Sequence, residues 1–290
     1  MTATATQPLD VLADRASEAA VLDAPAEQIG KTVRDVISGP LKDALSGTWI
    51  GHALHPLLTD VVIGSWTSAT VLDLIGGEET ARAAERLIGV GIVAYGPTAL
   101  TGWSDWADSE SVDADVRRVG LVHATVNGIA FGLYAASLAS RRRGRRGLGV
   151  ALALAGAGVM SAGGHLGGHL AFRLGVGVDQ TVFDPGPDEW TQALPLDELD
   201  GCEPASVQVG DTPVLLVHDG DDVFALHDRC SHRGCSLADG DVADGAITCP
   251  CHGSRFDLRT GAIRQGPATA PQPVLEARTR AGRVEVRRIP

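Results

Sequence analysis

Four residues in the last third of the chain combine two thiols and two imidazoles at the close spacing of metal ligands. Cys230 and His232 have one residue between them, and Cys249 and His252 have two. The two pairs are separated by sixteen residues, so they can meet at one centre if two loops approach each other. Of five cysteines in the chain, four lie within residues 230–251, and this clustering favours a metal site over a scattered set of disulfides.

The segments CSHRGC (230–235) and CPCHGSRFD (249–257) resemble the cluster-binding motifs of the Rieske family. The resemblance implies one [2Fe-2S] cluster, in which the two thiolates bind one iron and the two imidazoles bind the other. Neutral imidazoles leave less negative charge on the cluster, so an electron is added more easily than to an all-cysteine cluster. The sequence therefore predicts a carrier of single electrons. A zinc site uses the same donors and is the alternative, and it would be colourless and redox-inert.

The resemblance also implies how the two cluster loops are joined. In high-potential Rieske subunits, cysteines at the positions of Cys235 and Cys251 form a disulfide between the loops. We expect the same bond here, and it favours an oxidising compartment. Two glycines beside the ligands, Gly234 and Gly253, and a proline-rich cover at 266–273 are expected to let the loops meet at the cluster. Cys202 is then left over, and we expect it to be a small buried residue.

Two departures from the high-potential pattern concern the reduction potential and the partner. Ser254 matches the serine whose hydroxyl donates to a bridging sulfide in that branch, but Phe256 stands where a tyrosine is usual. Because one donor that stabilises the reduced cluster is missing, we expect a potential below that of quinol-oxidising subunits. Arg233 replaces an apolar residue that docks at the quinol site, so direct quinol contact is doubtful. Arg233 instead resembles the ferredoxin and oxygenase branch.

The C-terminal region predicts an all-β Rieske-type domain at residues 189–290. Short β-rich runs alternate there with Asp-Gly and Gly turns, a spacing typical of a small antiparallel domain. The preceding residues 177–188 are rich in Pro, Gly and Asp and predict a linker. The net charge of −12 argues against binding to nucleic acid, which requires a basic face.

The N-terminal half predicts an all-α four-helix membrane bundle at residues 49–176, preceded by a polar region, 1–48, with amphipathic helices. Asp60 and Asp73 must face the bundle interior or lie near its ends, because a charge in hydrocarbon is costly. A soluble four-helix bundle is the alternative. The stretches HPLLTDVVIGSWTSATVLDLIG, GWSDWAD and GGHLAFRLGVGV resemble an uncharacterised bacterial four-helix membrane family, which implies no activity. Four apolar segments approach the roughly 20 residues that a span needs, at 55–76, at 86–103 with Pro97 inside, at 119–140 and at 147–172.

Loop charges predict the orientation of the helices. Residues 141–146 contain five Arg, whereas the loop at 104–118 is mainly acidic. Because Lys and Arg concentrate in cytoplasmic loops, we expect the Arg loop inside and both ends of a four-span chain outside. The stretch SRRRGRRGLG from Ser140 resembles a twin-arginine export signal, of the internal kind used by some Rieske subunits. Residues 1–20 contain four charged side chains and no continuous apolar core, so we expect no secretory signal there.

Five histidines lie near the ends of the apolar segments. Antiparallel threading places all of them toward one membrane face, whichever way the bundle is oriented. A bis-histidine haem b or another metal at that face is a candidate second cofactor. Packing or interfacial roles are the alternative, and no pairing can be chosen from the sequence. The five are His52 and His55 in the first segment, His123 in the third, and His165 and His169 in the fourth.

Together these patterns predict a multi-pass cell-membrane protein that transfers one electron at a time between a redox protein donor and acceptor. An extracytoplasmic Rieske domain is favoured. The alternatives are a redox sensor and a ferredoxin-like donor to a separate cytoplasmic oxygenase. A self-contained oxygenase is not expected, because only 38 residues follow His252 and a mononuclear iron domain needs far more. No catalytic residue is predicted.

Overall fold

The computed structural model describes residues 8–199 and 201–289. Within this part the chain forms two compact units, one from residues 8–38 and 54–176 and the other from 39–53, 177–199 and 201–289. The first unit is helical and the second is mainly β, as the sequence predicts. Two segments join the β unit although the sequence suggested otherwise. One is the expected linker 177–188. The other is 39–53, of which residues 39–48 were expected in the N-terminal region and 49–53 in the bundle.

The helical unit consists of two short peripheral helices and two long helical hairpins. A short turn containing Gly77 joins the first hairpin, and a turn containing Gly144 joins the second, and both glycines have positive φ. Asp113 caps the second hairpin, because its side chain accepts hydrogen bonds from the backbone N–H groups of Asp115 and Val116. The helices are α1 (Pro8–Glu18), α2 (Asp23–Val36), α4 (Leu54–Ile75), α5 (Ala81–Ser109), α6 (Ala114–Arg142) and α7 (Arg146–Phe172), and α3 (Gly39–Ser46) belongs to the β unit.

Aromatic and small side chains fill the centre of the bundle. Trp66 and Tyr134 stack with their ring centroids 4.1 Å apart, and both are fully buried. Asp73 is buried, as expected, and its carboxylate pairs with both terminal nitrogens of Arg141. Arg141 therefore lies within α6, and its guanidinium is held in the ion pair. Only the other arginines of residues 141–146 are available to solvent or lipid headgroups.

Three of the helices are long and apolar enough to cross a membrane: α4, α6 and α7. The second apolar segment was expected to be interrupted by Pro97, but α5 runs through this proline as one helix of 29 residues. Interior proline removes one backbone hydrogen bond and does not always end a helix. Three helices therefore support the membrane association of the chain.

The β unit contains two antiparallel sheets. The larger has six strands in the order β1-β10-β9-β4-β3-β2, and the smaller has four in the order β5-β6-β7-β8. One core joins them, because Leu215, Leu226 and Phe256 are fully buried in the same cluster. The strands are β1 (Thr191–Pro195), β2 (Ala205–Val209), β3 (Thr212–Asp219), β4 (Asp222–His227), β5 (Asp241–Ala243), β6 (Ala246–Thr248), β7 (Arg255–Asp257), β8 (Ile263–Gln265), β9 (Val274–Arg280) and β10 (Arg283–Arg288).

Candidate metal centre

Two loops of the β unit have the same backbone conformation. In the loop after β4, the N–H of Cys230 donates to the carbonyl of Cys235 at 2.8 Å, and in the loop after β6 the N–H of Cys249 donates to the carbonyl of Ser254 at 2.8 Å. Each loop has a glycine four residues after its cysteine, Gly234 or Gly253, with φ of +77° in both. Each glycine also returns a hydrogen bond to the cysteine carbonyl. The two motifs recognised in the sequence therefore form a matched pair of turns.

These loops bring the four predicted ligands together in like pairs. Cys230 and Cys249 are free thiols, only 1% and 2% exposed. Their thiols are hydrogen-bonded to each other, and this bond lowers the pKa of Cys249 to about 7. The rings of His232 and His252 lie beside each other with centroids 5.1 Å apart. Both histidines are only half-buried, so the thiol side of the site faces the core and the imidazole side faces the surface.

The protonation states of these groups suit metal binding. Burial holds the pKa of His232 well below its usual range, and the positive charges of Arg233 and Lys42 lower it further. A neutral imidazole keeps a lone pair for a metal. The hydrogen bond between the thiols lowers the pKa of Cys249 and raises that of Cys230, so Cys249 loses its proton first. Two thiolates at one side and two neutral imidazoles at the other fit a [2Fe-2S] centre with sulfur on one iron and nitrogen on the other.

A disulfide links the two loops. Cys235 and Cys251 are bonded to each other, with their Cα atoms 6.5 Å apart, so the predicted bond is present. The sulfur atoms of these two residues and of Cys249 lie within 4.8 Å of one another. Because two of the three are in the disulfide, Cys249 is the member of this group that can bind a metal. Cys202 is exposed, so the prediction that it is buried was wrong.

Ser254 and Phe256 occupy buried positions beside the second loop. The Ser254 hydroxyl oxygen is completely buried and accepts a hydrogen bond from the N–H of Ala268 at 3.0 Å. Since a hydroxyl can donate one bond while it accepts another, its proton stays available to a neighbouring acceptor. Phe256 is fully buried in the core and adds no polar donor.

Gln272, which sequence analysis did not single out, holds the first loop in place. Its side chain is 2% exposed, and its amide nitrogen donates to the carbonyls of His227 and Arg229 at 2.6 and 2.8 Å. Its amide oxygen accepts from the N–H of Ser231 at 3.0 Å. Gln272 lies inside the proline-rich stretch 266–273, and the sequence around it does not indicate its role. A single buried amide therefore satisfies three backbone groups around Cys230.

Two acidic side chains form hydrogen bonds that hold the first ligand loop and the end of β4 in place. Asp228 is 4% exposed, and it accepts hydrogen bonds from the hydroxyls of Ser206 and Ser236 and from the N–H of Ala238, each at 2.8 Å. Asp184 comes from the expected linker, and its carboxylate lies 3.0 Å from Nε2 of the buried His227. The segment that precedes β1 is thereby fixed to the strand that leads into the first ligand.

The segment 39–53 contacts the proline-rich stretch. The hydroxyl of Thr48 donates to the carbonyl of Ala268 at 3.3 Å, and the Asp43 carboxylate accepts from the N–H of Gly266. A Cβ atom at Gly266 would lie 2.2 Å from the Thr48 hydroxyl, so only glycine fits there. Burial raises the pKa of Asp43. Residues distant in sequence thus cover the part of the domain that encloses the ligand loops.

The five histidines of the N-terminal half do not form one group. His55 and His123 lie in the bundle, each with Nδ1 against a backbone carbonyl, and they are close enough to interact electrostatically. Nε2 of His165 lies 3.3 Å from Asp10. His52 is exposed and belongs to the β unit. His169 lies one turn after His165 on α7, with a buried Nδ1 that has no hydrogen-bond partner among residues 8–199 and 201–289.

Both parts of the chain match known protein families. Residues 189–278 match the Rieske [2Fe-2S] domain family, and residues 51–180 match a family described as a predicted membrane protein (DUF2231). The anthranilate 1,2-dioxygenase ferredoxin subunit of Burkholderia cepacia is 41% identical over 98 residues, which are 34% of this chain and 91% of that protein. Ferredoxin CarAc of Metapseudomonas resinovorans is 35% identical over 79 residues, or 27% of this chain and 74% of that one.

Among solved structures, the ferredoxin of carbazole 1,9a-dioxygenase from Nocardioides aromaticivorans is 30% identical, with a TM-score of 0.34. The match covers 35% of this chain and 100% of that ferredoxin. The sequence match to the anthranilate dioxygenase ferredoxin subunit spans nearly the whole of that small protein, and the two cluster motifs lie within the matched Rieske region. The chain therefore belongs to the Rieske [2Fe-2S] family, whose domain it carries behind a helical membrane domain.

Proposed function

We propose that Cys230 and Cys249 bind one iron of the [2Fe-2S] cluster, and that His232 and His252 bind the other. The observation that carries this proposal is the arrangement of two buried thiols beside two half-buried, neighbouring imidazoles on loops tied by a disulfide. When bound, the cluster supplies reversible one-electron redox chemistry. The protein belongs to the iron–sulfur electron carriers, and it is associated with a membrane through its helical domain.

The cysteine side and the histidine side of the site differ in their exposure to solvent. The buried cysteines exclude water from the sulfur side, whereas the half-buried histidines leave the nitrogen side near the surface. We expect the redox partner to dock over His232 and His252, because electron transfer needs a short distance. Lys42 and Arg233 contribute positive charge at His232. A partner that presents carboxylates would therefore associate faster at low ionic strength.

The helical domain is proposed to cross the membrane four times. Residues 87–104 of α5 contain no charged side chain, and about 18 helical residues span 27 Å, close to the thickness of the hydrocarbon core. Val90, Val93 and Leu100 of α5 are 49%, 77% and 46% exposed, as expected for a helix that faces lipid. Helix α5 also packs along the whole of α4 as its hairpin partner, so the two share a bilayer depth.

We propose an extracytoplasmic Rieske domain. Four arginines remain at the junction of α6 and α7, within residues 142–146, when Arg141 is set aside for its ion pair, and such a basic junction favours the cytoplasm. One crossing by α7 then places the β unit outside. The disulfide between Cys235 and Cys251 also favours an oxidising compartment. Protease treatment of intact spheroplasts tests this: cleavage within residues 177–290 is expected, and protection would reverse the orientation.

The partner is proposed to be another redox protein and not a quinol. Relatives named as dioxygenase ferredoxin subunits suggest an oxygenase or its reductase as the class of partner. The second candidate function, a ferredoxin-like donor to a cytoplasmic oxygenase, is favoured by that likeness and requires the opposite orientation. A redox sensor is the third. Stopped-flow reoxidation of the reduced protein by a membrane fraction separates a carrier from a sensor, because a carrier turns over repeatedly and a sensor does not. The protease test separates the two orientations.

The ligand assignment is tested by substitution. His232→Ala and His252→Ala, and Cys230→Ser and Cys249→Ser, should each abolish the visible spectrum and the electron paramagnetic resonance signal of the reduced cluster. The control is His218→Ala, which removes a half-buried histidine from β3 of the same domain. If a ligand variant keeps wild-type iron, sulfide and signal, that residue is not a ligand.

A further inference from the structure

The two hairpins of the membrane domain, α4–α5 and α6–α7, are structural repeats of each other. Buried positions of α4 recur 68 residues later in α6: Val62 with Ala130, Trp66 with Tyr134, and Ala69 with Ser137. Buried positions of α5 recur 65 residues later in α7: Ala84 with Gly149, Ile88 with Ala153, and Gly91 with Gly156.

Contacts across the bundle confirm that equivalent residues meet. Trp66 stacks on Tyr134, its equivalent, and Asp73 forms its buried ion pair with Arg141, also its equivalent. The supporting glycines are equivalent too, since a Cβ atom at Gly91 would strike the Trp66 ring and one at Gly156 would lie 3.0 Å from the Tyr134 ring. Residues that meet their own equivalents lie on the twofold axis that relates the hairpins. This axis therefore carries an ion pair at one end and an aromatic stack at its middle.

The third pair on this axis is His55 and His123, at the other end of the bundle. The two residues are again 68 apart, and the Nδ1 atom of each lies against a backbone carbonyl. Nδ1 of His55 lies 3.0 Å from the carbonyl of Thr98, and Nδ1 of His123 lies 2.9 Å from the carbonyl of Gly163. The two carbonyls belong to residues 65 apart, which are equivalent positions of α5 and α7.

A glycine one turn further along each helix makes room for each imidazole. A Cβ atom at Gly102 would lie 2.7 Å from Cε1 of His55, and one at Gly167 would lie 3.0 Å from Cε1 of His123. These glycines are also 65 residues apart. Because a carbonyl can only accept, each Nδ1 must carry the proton, and the lone pair is on each Nε2. Nε2 of His123 lies 3.2 Å from the side-chain amide nitrogen of Asn127, and a haem iron would replace that nitrogen as its partner. Both hairpins thus present an oriented imidazole with a basic nitrogen.

We propose that His55 and His123 are the two axial ligands of a haem bound on the twofold axis between the hairpins. A zinc ion in a protein usually has three or four protein ligands. Among the described residues, the sulfur group of the β unit is the one cluster of at least three His, Cys, Asp or Glu ligand atoms, so no third donor accompanies these two histidines. Haem iron already has four porphyrin nitrogens and needs only two axial ligands. An apolar bundle also provides the surroundings that the macrocycle requires.

The repeat decides which of the five candidate histidines belong to this site. The equivalents of His165 and His169 in α5 are Leu100 and Ser104, so neither lies on a repeated position. His165 also interacts with Asp10 of α1. The proposal depends on the helical domain alone and is independent of the cluster ligands. It adds a second one-electron centre to the chain.

The test uses full-length protein in detergent, titrated with hemin and followed by absorbance and electron paramagnetic resonance. One haem per chain is expected, with the low-spin spectrum of two axial imidazoles in both oxidation states. His55→Ala and His123→Ala should each lose this spectrum, while His52→Ala and His165→Ala keep it. Helical content measured by far-ultraviolet circular dichroism reports folding of the bundle in every variant, and the cluster spectrum reports folding of the β unit. His55→Gly with added imidazole should recover the low-spin form, which separates a lost ligand from a misfolded bundle.

A second pair of variants tests whether the space that Gly102 leaves for the His55 imidazole is needed for haem binding. Gly102→Ala displaces His55 and should weaken haem binding at least tenfold. Gly96→Ala, on the same helix with open space around its Cβ position, should leave binding unchanged. The proposal is overturned if wild-type protein with an intact cluster takes up no haem, or if both histidine variants bind it with the wild-type spectrum. Stoichiometric zinc binding that needs both histidines, without haem, would also overturn it.

Discussion

Cys235 and Cys251 are joined by a disulfide bond that ties the loop bearing Cys230 to the loop bearing Cys249. Each of these loops is closed on itself by backbone hydrogen bonds, but the two come from different hairpins, and β6 (Ala246–Thr248) leads into only the second of them. The covalent link therefore fixes the separation of the two halves of the ligand set. This role is mechanical and separate from the electronic role of the ligands.

Removing this bond should shorten the lifetime of the cluster. The double variant Cys235→Ser with Cys251→Ser loses a cross-link across 16 residues, which is worth roughly 3 kcal/mol in the chain-entropy account. We expect the visible absorbance to decay several times faster in the presence of an iron chelator. Cys202→Ser, which removes an exposed thiol, is the control. Equal decay rates for the double variant and wild type would show that the bond does not hold the loops together.

Ser254→Ala should lower the reduction potential. The Ser254 hydroxyl accepts from Ala268 and keeps its proton for a cluster sulfide, so the substitution removes a donor that stabilises the reduced state. A differential hydrogen bond of about 1 kcal/mol corresponds to about 40 mV for one electron. Redox titration followed by absorbance measures the shift. Thr191→Val, which removes an exposed hydroxyl on β1, should leave the potential unchanged, and an unchanged potential in Ser254→Ala would deny the hydroxyl this role.

Gln272→Leu should lower the free energy of unfolding of the domain more than the same substitution of a surface glutamine does. The substitution leaves two carbonyls and one N–H of the first loop without their side-chain partner, and each such buried group costs roughly 1–3 kcal/mol. Gln265→Leu is the matched control, because Gln265 is exposed and makes one 3.4 Å contact. Urea unfolding and cluster content measure both. Similar losses in the two variants would contradict the assigned role of Gln272.

Asp257 should contribute stability that depends on pH. Hydrogen bonds from Arg264 and Thr260 lower the pKa of this carboxyl to about 2. A depressed folded-state pKa means that the contribution is complete above the unfolded value near 4 and is lost as the pH falls toward 2. Wild type should therefore exceed Asp257→Asn by about 1 kcal/mol at neutral pH, and the difference should shrink below pH 4. Asp222→Asn, which breaks an exposed pair with Arg259, should show little difference at either pH.

The ligand motifs and the apolar segments were readable from the sequence because each is encoded by neighbouring residues. Cys230 and His232, or the uncharged stretch of α7, need no knowledge of distant contacts. Gln272 could not be found in this way. Its importance comes from three backbone groups more than 40 residues away, and no local pattern distinguishes it from the glutamines on the surface.

Dependence on distant contacts also explains why the sequence could not pair the histidines or place the domain boundaries. Sequence placed five histidines near one membrane face but could not pair them, because the pairing depends on which residues of two hairpins are equivalent. The repeat is nearly invisible in sequence, where Trp66 faces Tyr134 and Asp73 faces Arg141, and it became evident only from their contacts. Segment 39–53 was likewise assigned by adjacency along the chain, whereas its contacts place Thr48 on the proline-rich stretch of the β unit.

The most direct test of the central claim is a pulsed electron paramagnetic resonance measurement of nitrogen coupling in the dithionite-reduced protein. Mixed ligation by Cys230, Cys249, His232 and His252 predicts coupling to two histidine nitrogens, which changes when the protein is labelled with ¹⁵N-histidine. His252→Ala should remove it, whereas His218→Ala should not. A protein that contains zinc without inorganic sulfide, or a cluster signal that lacks histidine coupling, would contradict the account.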